Sequence, residues 1–226
     1  MKKTDVVVLV VFLALVGVII FVPAALEAFN KATSAHGMVM SFFKFAILAT
    51  FGEMLALRIR KGCYTEEGFG VLPRMIVWGI LGMGIAMSMK IFSIGTIGFL
   101  QYLGVDQAGA WFAGGASWGK LLVAFCISVL MNSIFAPVFM TLHKITDIHI
   151  QQTGGTLRGF FSPIPMCDII AHKINWEVQW GFVFKKTIPL FWYPAHTITF
   201  MLPGNYQVLF AALLGVVLGL ILSIRK

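Results

Sequence analysis

The stretch Met131-Asn132-Ser133-Ile134-Phe135-Ala136-Pro137-Val138-Phe139 lies inside a long apolar run, residues 121–142. A run of that length is typical of a helix that crosses a bilayer, which needs about 20 apolar residues. Pro137 has no N–H group, so the carbonyl of Ser133 loses its helical partner and the helix is expected to bend. Asn132, Ser133 and the freed carbonyl would then cluster at one kink.

Two interpretations of this polar cluster follow from its expected place in hydrocarbon. Polar groups there must be met by a neighbouring helix, a water-lined cavity or a ligand. In the first interpretation the cluster is a structural kink whose groups bond to other helices. In the second it is one wall of a solute path.

The composition of the chain indicates a membrane protein. Hydrophobic residues make up 59% of the 226 residues, charged residues make up 12%, and the mean hydropathy is +0.90. Soluble domains average about 25% charged residues. We therefore predict an all-α integral membrane protein, with the lipid bilayer as its first partner.

Six apolar runs predict a bundle of about six transmembrane helices. They cover residues 6–26, 36–57, 75–98, 118–142, 187–202 and 206–224. The first belongs to an N-terminal anchor, residues 1–30, because its apolar core exceeds the roughly 7–15 residues of a signal peptide. Residues 31–226 form the polytopic domain. Pro137 and Pro194 are expected to kink their spans, and residues 168–184 to form an interfacial helix before span five, or the lower part of a long span.

The distribution of Lys and Arg predicts the orientation. Of the 17 such residues, 13 fall in the N-terminus, the 58–74 loop, the 143–186 segment and the C-terminus, which alternate to one side of a six-span chain. By the positive-inside rule these segments, including both termini, are cytoplasmic, in a multi-pass plasma or inner membrane protein. The net charge of +8 thus indicates membrane orientation, and nucleic acid is not an expected partner.

From His36 onward, four places in the chain resemble the Mpv-seventeen family, which includes the twenty-two-kilodalton peroxisomal membrane protein. They are Gly52-Glu53, Arg74 with the glycine-rich third span, Phe135-Ala136-Pro137, and the set Trp192, Phe200, Pro203 and Tyr206. Glu53 replaces the family's Asp, Asn132-Ser133 replaces Asp-Gln, and His196, Thr199 and Gln207 replace Gln, Asn and Arg. The resemblance implies a distant bacterial member of a family of small membrane proteins thought to form channels or affect metabolite passage.

Charged side chains within the second span are the first candidate site residues. Glu53 is costly in a membrane and should face protein or water, unless it pairs near the cytoplasmic end with Arg58 or Lys61. Lys44 precedes Glu53 by nine positions, half a turn of rotation away, so it needs a partner on another span or in another copy of the chain. A homo-oligomer therefore stays open.

Polar residues of the fifth span are the second group of candidates. Trp192, His196, Thr199 and Pro203 share one helical face. His196 and Thr199 need hydrogen-bond acceptors, so we expect them in the bundle interior. Lys90 lies toward the other end of the third span, where snorkelling to the interface would explain it.

The chain carries no catalytic motif that we recognise, and we predict that it is not an enzyme. Two His/Asp pairs, His143/Asp147 and Asp168/His172, have i,i+4 spacing and could hold a metal if their segments met. Such residues are ordinary in a solvated loop, so we predict neither a metal site nor a cofactor. A membrane-embedded lipid-acting enzyme is the least favoured alternative.

These observations favour a channel or facilitator for small hydrophilic solutes or metabolites, with a proton-linked variant. The predicted path is lined by Lys44, Glu53, Asn132, Ser133, His196 and Thr199. The main alternative is a structural or assembly protein of the membrane, whose polar groups are satisfied internally.

Overall fold

The computed structural model describes residues 3–224, and every regular element in that range is helical. The all-α part of the predicted fold class is therefore confirmed. In chain order the α-helices are α1 (Lys3–Phe21), α2 (Pro23–Ala35), α3 (Gly37–Lys61), α4 (Val71–Tyr102), α5 (Ala108–Ala113), α6 (Trp118–Gln152), α7 (Leu157–Phe160), α8 (Met166–Asp168), α9 (Trp176–Val178), α10 (Tyr193–Met201) and α11 (Gly204–Ile224). Two π-helical segments, Ile169–Lys173 and Gln179–Trp192, continue α8 and α9.

The chain divides into two compact units, Met1–Met40 and Ser41–Lys226. In the first unit α1 and α2 are separated by Val22, whose extended backbone precedes Pro23 in the first turn of α2. The domain boundary that we predicted at residue 30 falls inside α2, a continuous helix. Every cavity and cluster described below lies within the second unit.

Four helices are long and apolar enough to cross a membrane: α3, α4, α6 and residues Gly204–Ile221 of α11. They correspond to the spans predicted at 36–57, 75–98, 118–142 and 206–224. The runs predicted as spans at 6–26 and 187–202 are not among these four.

Helix α6 continues ten residues beyond the predicted end of its span at residue 142, to Gln152. Its last turns stay helical because they bury apolar side chains. Ile145 packs with Ile169 and Ile174 in a small cluster separate from the main core. The segment that we predicted as cytoplasmic, 143–186, therefore begins on a helix and not in a loop. Pro137 lies inside α6 without ending it.

The predicted interfacial helix 168–184 is not one helix in the structure. The chain leaves helical geometry at Ile174, and the Asn175 side chain then caps α9 by accepting a hydrogen bond from the Val178 N–H group at 3.1 Å. From Trp176 the chain is helical to Met201 through α9, the π-helical segment and α10. Residues 176–184 are thus the beginning of a long helix.

Glycine in α4 permits close packing against α3. A Cβ atom added at Gly82 would lie 2.4 Å from the Phe45 side chain, and one at Gly79 would lie 2.4 Å from Phe42. Carbon atoms do not approach that closely, so only glycine allows these aromatic rings to lie on the α4 backbone. The contact brings Glu53, farther along α3, opposite the first turns of α4.

Candidate functional site

Glu53 is the centre of a group of five side chains from three helices, which we call the ion cluster: Glu53, Arg74, Trp78, His143 and Asp147. One Glu53 carboxylate oxygen pairs with the Arg74 guanidinium. The other lies 3.1 Å from Nε2 of His143 and accepts a hydrogen bond from the Trp78 indole N–H at 3.1 Å. Both carboxylate oxygens are therefore partnered within the cluster.

Arg74 joins the two acidic residues of the ion cluster. Its side chain is 7% exposed, and its guanidinium pairs with Asp147 as well as with Glu53. Its Nε atom donates to the Phe69 carbonyl at 2.7 Å, and the guanidinium carbon lies 4.6 Å from the centre of the Phe69 ring. A planar guanidinium with several donors suits this role better than an ammonium, because it can serve three acceptors at once.

The spacing along α4 and α6 explains why these side chains converge. Arg74 and Trp78 are four residues apart on α4, and His143 and Asp147 are four apart on α6, so each pair shares a helical face. The Trp78 and His143 rings pack with their centres 4.4 Å apart. The two faces enclose Glu53 of α3 between them.

A cavity of about 290 Å³, the Arg74 cavity, lies beside the ion cluster. Its charged lining is balanced in sign, with three acidic and three basic side chains. They are Glu53, Glu66, Asp147, Arg60, Arg74 and Lys144. A polar solute or water would meet no net charge there, although it would meet strong local dipoles.

Asn132 and His196 form a second polar pair deeper in the bundle. Oδ1 of Asn132 lies 3.0 Å from Nδ1 of His196, and the Asn132 amide donates to the Ser128 carbonyl at 2.8 Å. Both side chains are buried. The Trp192 ring lies 5.0 Å from the His196 ring, so the predicted helical face brings these two residues together.

Three members of the ion cluster, Glu53, Trp78 and His143, and the Asn132–His196 pair line one cavity of about 310 Å³, the His196 cavity. Its lining includes Glu53, Trp78 and Lys144, which also line the Arg74 cavity, so the two cavities meet at the ion cluster. Nε2 of Gln179 and Nε1 of Trp192 belong to residues of this lining and are buried without a hydrogen-bond partner in the described part of the chain. Unpartnered donors in an apolar wall favour a cavity that holds water or a polar solute.

The other predicted site residues lie outside the lining of the three cavities described here. Ser133 is exposed, and its hydroxyl lies 2.6 Å from the Tyr193 hydroxyl. Thr199 is buried, and its hydroxyl donates to the Ala195 carbonyl at 2.9 Å. Lys44 is buried on α3. Of the six predicted path residues, the structure brings Glu53, Asn132 and His196 to one cavity.

A third cavity of about 570 Å³, the Lys90 cavity, is lined by the later part of α4, by α5, by the start of α6 and by the chain around Gly204. It shares no lining residue with the His196 cavity. Met89 and Phe200 line the Lys90 cavity, Met131 lines the His196 cavity, and all three belong to one buried apolar cluster. Packed apolar side chains therefore separate the two cavities.

Sequence reasoning missed the site role of Arg74, Trp78 and Asp147. Of the two alternatives for Glu53, pairing with Arg58 or Lys61 is not observed, because Glu53 pairs with Arg74 and Lys61 pairs with Glu66. Arg58 is five positions after Glu53, about 140° around the helix, and therefore points elsewhere. A usable signal was present in the i,i+4 pairs of α4 and α6, each with a charged residue beside an aromatic or imidazole ring.

The two His/Asp pairs do not combine into one site. Asp168 and His172 contact each other at 3.2 Å on the surface, whereas His143 and Asp147 belong to the ion cluster. Among the described residues, no group of three or more His, Cys, Asp or Glu side chains is placed to hold a metal ion.

Comparisons of the chain with protein families, with curated proteins and with solved structures found no match. Functional inference therefore rests on the geometry of the cavities and of the ion cluster.

Proposed function

We propose that the chain is an integral membrane channel or facilitator for small hydrophilic solutes. The observation that carries this proposal is the His196 cavity, which combines an apolar wall with Glu53 and His143 of the ion cluster and with the unpartnered donors of Gln179 and Trp192. Narrow, mostly apolar paths with a few polar groups select solutes by size and by hydrogen bonding. Glu53, Asn132 and His196 would supply that selection.

The membrane topology in this proposal has six crossings. The four helices of membrane length supply four of them. The apolar α1 supplies one, and the helical run from Trp176 to Met201, longer than the about 20 residues that a crossing requires, supplies the other. Both termini then lie in the cytoplasm of a plasma or inner membrane protein. Pro137 and Pro194 would bend the helices that line the path.

In this proposal the described conformation is the closed state of the path. The Arg74 and His196 cavities meet at the ion cluster, whereas Met89, Met131 and Phe200 lie in the apolar cluster beyond the His196 cavity. Movement of these side chains would join the His196 cavity to the Lys90 cavity. In the proton-linked variant, protonation of Glu53 or His196 would accompany passage of the solute.

Membership of the Mpv-seventeen family is part of the proposal. Glu53, Arg74 and Trp192, three of the residues that carry the resemblance, all line cavities. If this chain and the family have a solute path in common, the residues that they share should lie at cavities, as these three do.

A structural or assembly role remains the second candidate, and one observation favours it. Both oxygens of Glu53 have partners, and Asn132 and His196 satisfy each other. Polar groups that are fully paired inside a bundle can serve packing alone. The two functions differ in whether the purified protein moves a solute across a bilayer.

Swelling of proteoliposomes tests the proposal. Wild-type protein and Glu53→Gln are reconstituted, and entry of glycerol, sorbitol and sucrose is followed by stopped-flow light scattering, with planar-bilayer recording alongside. Glu67→Gln is the matched control, because Glu67 is an exposed carboxylate outside the cavity linings. We expect wild type and Glu67→Gln to admit glycerol faster than protein-free liposomes do, and Glu53→Gln to change the rate severalfold while remaining folded.

Wild-type protein that is folded and inserted, but gives no entry above protein-free liposomes and no openings, would contradict transport and favour the scaffold. An unchanged rate in a folded Glu53→Gln variant would remove Glu53 from the path.

A further inference from the structure

The Lys90 cavity has a strongly positive lining. The only charged side chains among its described lining residues are Lys90 and Lys120, and Ser93 and Gln207 add polar groups. Asp106, in the chain between α4 and α5, is not part of the lining. No acidic side chain of the described lining balances the two ammonium groups.

The start of α11 adds to this positive potential. Gly204 and Gln207, in the first turn of this 21-residue helix, line the cavity. The first four N–H groups of a helix have no acceptor within it, and the helix dipole makes that end positive. The N-terminus of α11 and two lysines thus border the same space.

Packing does not explain why Lys90 lies at the cavity. Its ammonium makes no hydrogen bond or ion pair with the described residues, and its side chain is exposed and is part of the cavity lining. It lies 12 residues before the end of α4 at Tyr102, about 18 Å along the helix axis. An ammonium on an apolar helix is satisfied by snorkelling to the interface, by water or by a counter-ion, and the cavity beside Lys90 has room for the last two.

The Lys120 ammonium also has N–H groups that make no hydrogen bond to the described residues. Its ammonium donates to the Gly114 carbonyl at 3.0 Å, which uses one of its three N–H groups. The cavity volume of about 570 Å³ is many times what one water molecule needs. A hydrated phosphate-sized ion fits in that space.

We infer that the Lys90 cavity is a binding site for a small anionic group, a phosphate or carboxylate, held between Lys90 and Lys120 at the start of α11. The anion belongs either to a free solute or to the headgroup of an anionic lipid. As a statement about the transported solute, the inference rests on the proposed function and gives that solute a negative charge. The binding itself does not depend on transport.

Binding of labelled inorganic phosphate to the full chain tests the site. The protein is placed in nanodiscs of phosphatidylcholine, and phosphate is titrated by equilibrium dialysis. We expect one saturable site per chain, with affinity at least about tenfold weaker in Lys90→Gln and in Lys120→Gln, because each loses a charge-assisted hydrogen bond. Lys90→Arg keeps the charge and should retain binding. Lys173→Gln is the control, because Lys173 is exposed and lines none of the three cavities.

A second arm distinguishes the source of the anion. Nanodiscs that contain phosphatidylglycerol are prepared with the same variants, and lipid retained by the purified protein is measured by native mass spectrometry. Saturable phosphate binding assigns a free anion. Retained phosphatidylglycerol without phosphate binding, lost in both glutamine variants, assigns a lipid headgroup.

Neither phosphate binding nor lipid retention, or binding that both glutamine variants leave unchanged, would overturn the inference. Phosphate binding by a protein that moves no solute would contradict the proposed function and support the anion site. Solute flux without anion binding would support the proposed function and contradict the anion site.

Discussion

Arg74 on α4 holds two carboxylates on two other helices, Glu53 of α3 and Asp147 of α6. The Arg74 side chain is 7% exposed, so these pairs are only weakly screened by solvent. One guanidinium thereby connects three of the four membrane-length helices. Removal of Arg74 should therefore affect the fold more than removal of either carboxylate.

We expect Arg74→Gln to lower the free energy of unfolding by about 3–5 kcal/mol, because it leaves buried charges unpaired. Glu53→Gln should cost less, since Arg74 keeps Asp147. The double variant should cost less than the sum of the two, as expected for residues in direct contact. Unfolding by sodium dodecyl sulfate in mixed micelles measures all three.

Lys61→Gln is the control for this cycle. Lys61 pairs with Glu66 at 2.7 Å, but its side chain is 58% exposed, so its loss should cost about 0–1 kcal/mol. Equal costs for Arg74→Gln and Lys61→Gln would contradict the structural role of the ion cluster.

Asn132 and His196 should also be energetically coupled. Asn132→Ala and His196→Ala each leave a buried polar partner, whereas the double variant removes both. We expect a coupling free energy of about 1 kcal/mol from the double-mutant cycle, a usual size for polar contacts between membrane helices. Ser133→Ala, at the exposed neighbour, should show no coupling to His196→Ala. Strict additivity of the Asn132 and His196 variants would count against the observed pair.

Gly82 and Gly84 offer a direct test of the α3–α4 contact. Gly82→Ala forces a methyl group onto Phe45, and we expect it to lower the free energy of unfolding by about 1–3 kcal/mol. Gly84→Ala, two residues along the same helix, has nothing within 4 Å of the added methyl group. It should be neutral or should stabilise the helix by up to about 1 kcal/mol. Equal effects of the two substitutions would mean that α3 and α4 do not pack as described.

Phe200 is the residue whose truncation should increase solute flux under the proposed function. Its side chain is fully buried in the apolar cluster beyond the His196 cavity. Phe200→Ala removes a large buried side chain of this cluster and should raise glycerol entry into proteoliposomes severalfold. Phe99→Ala, at a half-exposed phenylalanine of α4, is the control. A folded Phe200→Ala variant with wild-type flux would show that this cluster is not the barrier.

Hydropathy predicted the four membrane-length helices well, because burial in lipid requires a continuous apolar run. It could not predict the length of α6, because helical hydrogen bonds continue where lipid contact ends. The last turns of α6 are held by Ile145, which packs on Ile169 and Ile174. Those partners lie more than twenty positions away, and the hydropathy of α6 alone does not reveal them.

The candidate site was only partly predictable for the same reason. Asn132 and Ser133 are adjacent, so about 100° of helical rotation separates them. One is buried against His196 and the other is exposed beside Tyr193. The expected kink at Pro137 placed both residues in one polar cluster. The rotation of the helix between adjacent residues instead places them on different faces. The partner of Glu53 depends on how α4 packs against α3. The spacing of charges within α3 carries no information about that packing.

The contact between Glu53 and Arg74 also bears on how the chain is made. Both residues are synthesised before α6, so the carboxylate and the guanidinium are present together while His143 and Asp147 are still untranslated. We expect α3 and α4 to enter the bilayer as a hairpin in which Glu53 and Arg74 neutralise each other, so that neither of these two charges has to be buried alone. Asp147 is translated later and meets a guanidinium already in place. The order of translation thus matches the order in which the buried charges require partners.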